Sequence, residues 1–168
     1  MLAIELIGGT LVVLWAALVA WDLAVSHRLA KALSVLANEV TLFGVPCRVS
    51  PELGTDALVV GSFRPRVFVG ASLLAALSDD ELEAVVYHED HHRRTRAPLR
   101  AAALGAWLRL LGRSDSVRGV VLDRLADLET LADADAIRRG SSPGSLARAL
   151  LKGDAGVQPV AFWYAAER

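Results

Sequence analysis

Five consecutive residues, His88-Glu89-Asp90-His91-His92, gather three of the chain's four histidines beside two carboxylates. On a helix, positions four apart share a face, so His88 and His92 can hold one metal ion together. Glu89 follows His88 directly and can reach a water on that ion as a general base. Zinc brings the pKa of such a water to about 7, which makes hydroxide available at neutral pH. His91 has no histidine four residues away in either direction, so it falls on the outer face. The competing account is a solvated helix face, because Asp90, His91, Arg93 and Arg94 surround the pair.

A catalytic zinc needs a third protein ligand and an open fourth position. Glu129, in Glu129-Thr130-Leu131-Ala132-Asp133, is the best candidate. Asp133 lies one turn later on the same face, where a carboxylate can hydrogen-bond the second nitrogen of a ligating histidine. Read by spacing alone, the two could equally be solvated acids alongside Asp123, Asp127 and Asp135.

The elements that position these residues are legible around them. Ser78-Asp79-Asp80-Glu81 is a capping box with acidic residues in the first turn, and it opens the helix that carries the histidines. Pro98 is expected to close that helix. Residues 101–111 read as a second helix, 117–139 as a third with Val121, Leu125, Leu128 and Ala132 at helical spacing, and 145–151 as a short fourth. Residues 160–168 begin another. Upstream, 47–49, 57–60 and 66–69 read as strands, the last two forming a hairpin. Between 22 and 40 the pattern is helical, ended by Gly44 and Pro46.

Composition narrows the class. The chain has 168 residues, enough for one domain with a proper core. A net charge of −1 offers no electrostatic reason for a nucleic-acid partner. Cys47 is the single cysteine, so there is no intramolecular disulfide and no Cys-rich zinc ribbon. The hydrophobic fraction of 54% is concentrated at the start, where only Asp22 interrupts an apolar run over 6–25. About 20 apolar residues let a helix cross a bilayer. Glu5 and the absence of Lys or Arg ahead of the run argue against a cleaved signal peptide. Arg28 and Lys31 follow it, which by the positive-inside rule puts the rest of the chain in the cytoplasm.

Phe68-Val69-Gly70 through Leu74, then Leu77 to Glu89, resembles the membrane zinc peptidases of the gluzincin clan. In that group a strand, an acidic-start helix and HExxH follow in this order. The later Glu-x-x-Ala-Asp is similar to the group's third-ligand motif, which implies Glu129 as ligand and Asp133 behind it. The resemblance is closest to the BlaR/MecR-type peptidases, through Arg93-Arg94, Pro98, the stretch 140–151 and Ala165-Ala166-Glu167-Arg168. HtpX-type and CAAX-prenyl-type proteases are more distant. It covers roughly 67–168. By the same resemblance, an edge strand of Arg66, Val67, Phe68 and Val69 would pair with extended substrate, and Arg168 would stand near the oxyanion. The chain departs from those families in offering one membrane segment and no late histidine, so it is expected to be either a compact member or one lacking a C-terminal part.

Together these readings predict an α+β, mostly helical, zincin-like metallopeptidase domain with a small antiparallel sheet and an N-terminal transmembrane helix. Residues 1–26 would be the membrane anchor and 27–168 the zinc metallopeptidase domain. The expected activity is peptide-bond hydrolysis by one Zn²⁺ held by His88, His92 and Glu129, with Glu89 as base. The site would face the cytoplasm, act on a protein or peptide substrate, and serve regulated signalling proteolysis. The alternative is a non-catalytic zinc-binding membrane sensor or scaffold, against which the intact Glu89 argues.

Overall fold

A computed structural model describes residues 2–152. It begins with a long helix, α1 (Leu2–Val35), which contains neither glycine nor proline after Gly9 and runs without interruption past residue 26. The helix ends earlier than the pattern over 22–40 suggests. Asn38–Leu42 is instead a strand, β1, because Phe43 and Gly44 both take positive φ (50° and 78°) and turn the chain back into β2 (Val45–Ser50). Two consecutive left-handed residues are what a two-residue hairpin turn demands.

The sheet is mixed, a correction to the expected antiparallel one. β3 (Ala57–Val60) and β4 (Arg66–Gly70) do form the anticipated antiparallel hairpin. However, β4 also pairs in parallel with β2, Cys47 opposite Val67, giving the order β1-β2-β4-β3. A 3-10 turn (Pro51–Leu53) carries the chain from β2 to the far edge before β4 returns to the middle. Gly70 at the end of β4 is obligatory, since a Cβ there would lie 2.1 Å from the Gly54 carbonyl oxygen.

A helical layer follows: α2 (Ala71–Ala76), α3 (Asp79–Thr95), α4 (Ala97–Leu111), α5 (Asp115–Arg138) and α6 (Pro143–Lys152). Pro98 does not close α3. Arg96 breaks the helix in a left-handed conformation (φ 54°), and Pro98 sits in the first turn of α4, where a missing N–H costs nothing. α3 packs on one face of the sheet, with Leu82, Val85 and Val86 against Val45, Cys47, Val67 and Val69. Leu33 of α1 joins Val60 and Phe68 on the other face. Ala101 of α4 meets Val121, Leu125 and Leu128 of α5 in a separate cluster.

α1 is long and apolar enough, by length and composition, to cross a membrane. It is also tied to the rest of the fold. Trp15 stacks on Trp107 with ring centroids 5.7 Å apart, and its indole N–H donates to the Ala103 carbonyl at 3.0 Å. Asp22 pairs with Arg109. Ser26 Oγ accepts the Gly61 N–H at 3.0 Å, and the Ser62 hydroxyl donates to the Leu23 carbonyl at 3.2 Å. The opposite side of the helix, including Val12, Val13, Leu14 and Trp21, is exposed.

Candidate metal centre

The capping box predicted at the start of α3 forms. The Ser78 N–H donates to Glu81 Oε2 at 3.0 Å while the Ser78 side chain takes the backbone of Glu81. Glu81 also binds two cations of α6, Arg148 at 3.2 Å and Lys152 at 2.7 Å. The Lys152 hydrogen bond, then the Ser78 N–H and Arg148, hold its carboxyl down at about 2. The box thus fixes the N-terminus of the histidine helix and docks α6 to it.

Two turns on, α3 aims His88 and His92 at α5. Their Nε2 atoms are 3.0 Å apart, and Glu129 Oε2 of α5 lies 3.5 Å from His88 Nε2 and 3.6 Å from His92 Nε2. A tetrahedral ion with bonds of about 2.0–2.1 Å sets its ligands roughly 3.3–3.4 Å apart. The three atoms therefore fit one small cation, and two imidazoles with a carboxylate are a donor set suited to zinc. His88 Nδ1 lies 2.8 Å from Asp133 Oδ1, so its N–H donates to the carboxylate and its Nε2 is the ring atom that faces the cluster. His92 Nδ1 is buried without a hydrogen-bond partner among the described residues.

The electrostatics follow from this crowding. Burial pulls the His88 imidazolium down, but Asp133, Glu129 and the Glu89 charge outweigh it and push His88 up to about 10. Burial alone would raise the Glu129 carboxyl. Its hydrogen bonds with His88 and His92 reverse that and hold it well below the usual carboxylate range. Glu89, 5% exposed, is raised by burial, against which His92 and His88 pull down.

The remaining sequence candidates fall differently. Arg66, Val67, Phe68 and Val69 do not form an edge: β4 is hydrogen-bonded on both sides, and Val67, Phe68 and Val69 are each 0% exposed. They are core, with only Arg66 exposed. The free edges are β1 and β3, and β3 is the one that packs against α3. His91 lies outside the cluster, 3.5 Å from Asp135. Arg168 and the helix expected at 160–168 lie outside the described residues. Cys47 sits in the core under α3, and burial pushes its thiol up to about 11, so it stays protonated.

Sequence reasoning missed Asp90 and Asp135, which it placed among solvated acids. Both are buried, at 4% and 8% exposure. Asp90 accepts hydrogen bonds from Arg93 (2.8 Å) and Arg94 (3.1 Å) of its own helix and from Arg139 (2.8 Å), which caps the C-terminal end of α5. Asp135 pairs with Arg94 and Arg138. The arginines three and four residues after Asp90 were the available signal for its role. The chain matches no protein-family model, no curated protein and no solved structure.

Proposed function

We propose that this chain is a zinc-dependent endopeptidase, anchored in a membrane by α1 with its site on the cytoplasmic side, and serving regulated proteolysis. The observation that carries the reading is the convergence of His88, His92 and Glu129 at ligand spacing, with Glu89 one residue from the first ligand. Zinc, bound there, supplies a Lewis acid for the scissile carbonyl and an acidified water. Every other task belongs to the chain. Asp133 holds the Nδ1–H of His88, which turns Nε2 toward the cluster. Glu89 takes the proton of the attacking water and delivers it to the leaving amine. Its raised carboxyl suits both transfers. With β4 interior, the edge strand for an extended peptide is β3, beside α3, and such a peptide gains backbone hydrogen bonds by strand addition.

The test is a Glu89→Gln substitution, which keeps volume and neutral hydrogen bonding. The expected protein is folded, carries about one zinc per chain as wild type does, and cleaves peptides about 10²–10⁴-fold more slowly. Equal cleavage by both proteins would remove Glu89 as the base. Full zinc loading with no cleavage by wild type across a broad peptide library would favour a zinc-binding sensor instead.

A further inference from the structure

The proposed centre is shared between two helices, so its ligand spacing depends on how α5 is registered against α3. His88 and His92 come from α3 and Glu129 from α5. A slide of one helical turn is about 5.4 Å, which takes Glu129 out of ligand range. Past Leu128, the last residue of the α4–α5 cluster, the buried positions of α5 are Ala132, Asp135 and Ala136, so no large apolar side chain fixes its register there. Small, similar side chains one turn apart give a nearly smooth surface with little register preference.

A second line of contacts runs beside the first. Asp90 of α3 binds Arg139, the residue that caps the C-terminal end of α5, and Arg94 of α3 binds Asp135 of α5. Positions rise on α3 as they fall along α5 in this line, as they do for His88 with Asp133 and His92 with Glu129, so both lines belong to one antiparallel packing of the two helices. The pairing is reciprocal: each helix contributes one acid and one base. Arg139 is further held with its guanidinium 3.7 Å over the Tyr87 ring. Displacement by a turn breaks both inter-helix pairs and leaves two buried carboxylates with local partners alone. Removing a partner from a buried ionic network is destabilising, and specifying register is the best-attested use of such pairs.

We propose that Asp90 with Arg139, and Asp135 with Arg94, are positioning residues that lock α5 onto α3 in the register that delivers Glu129 to His88 and His92. The inference deepens the zinc reading and rests on it for its consequence at the metal.

The experiment uses the full chain in detergent micelles and two readouts. Zinc affinity is measured by chelator competition, with the visible absorption of Co²⁺ as a report on ligand geometry. Arg139→Gln and Asp135→Asn, confirmed folded by circular dichroism at the working temperature, are expected to lose about 10–100-fold in affinity and to alter the Co²⁺ bands. Arg139→Lys, which keeps the charge, should stay within a few-fold of wild type. Lower thermal stability with unchanged affinity and unchanged Co²⁺ bands would overturn the proposal. The second readout needs no metal. Spin labels at Asp80→Cys and Leu131→Cys, both exposed positions on α3 and α5, should give one narrow distance in the otherwise wild-type protein. Adding Arg139→Gln should broaden or displace it, and an unchanged distance distribution would overturn the register lock. Absence of zinc binding by wild type would defeat the zinc reading instead, with the label distances still deciding the register.

Discussion

His88 Nδ1 and Asp133 Oδ1 lie 2.8 Å apart, joining the first histidine of the HExxH helix to a carboxylate one turn beyond Glu129. That contact sets which imidazole nitrogen carries the proton, and so which one is free to ligate. Asp133→Ala is expected to lower zinc affinity about 10–100-fold while leaving the fold intact. Glu129→Ala, which removes a proposed ligand, should cost more. Chelator competition on the three proteins gives the order, and an Asp133→Ala protein with wild-type affinity would take Asp133 out of the centre.

Phe68 distinguishes a core strand from a substrate-binding one. It is fully buried between Val60 and Leu33. Phe68→Ala should destabilise the domain by about 3–5 kcal/mol, read by denaturant unfolding. A stable Phe68→Ala protein with a raised KM would restore β4 to the substrate site.

Glu81 gives the fold an acid-sensitive joint. Its carboxyl is held at about 2 in the folded chain, below the usual value of about 4.3. A depressed carboxylate pKa adds stability above the unfolded value, and that stability is lost as pH falls from about 4.5 through 2. In this window the grip of Glu81 on Arg148 and Lys152 fails, and α6 should detach from α3. Glu81→Gln should lower stability at pH 7 and flatten its dependence on pH between 4.5 and 2. A Glu81→Gln profile parallel to wild type would show that the joint does not depend on this charge.

The exposed side of α1 tests the membrane reading. Leu14, 48% exposed, stands mid-way along the apolar run. Leu14→Arg puts a charge there at an insertion cost of about 2.5–3.5 kcal/mol. The full-length variant should shift from the membrane to the soluble fraction without detergent. Retention of the wild type in the soluble fraction under the same conditions would argue against a spanning helix.

What was legible in the sequence is what is local. The capping box, the histidine spacing, the 57–69 hairpin and the helical stretches of α4, α5 and α6 depend on residues within a few positions of one another. The parallel pairing of β2 with β4 depends on positions about 20 residues apart, and nothing in either strand announces its neighbour. That is why β4 read as an edge. β1 was hidden because a Leu-rich helical pattern runs up to it, and the hairpin turn depends on Phe43 adopting a left-handed conformation that its side chain does not favour. Asp90 read as solvated because the residue that helps bury it, Arg139, stands 49 positions away.

Because α1 passes from its exposed apolar segment to Val35 as one helix, no hinge separates that segment from the part that packs on the sheet. Ser26 and Ser62 stitch it to the turn joining β3 and β4, and Leu33 reaches Phe68 beneath the sheet. The helix is therefore a lever arm. On the membrane reading, a change of its tilt would arrive as torque at the β3–β4 turn, and β3 is the edge beside the helix that carries His88 and His92.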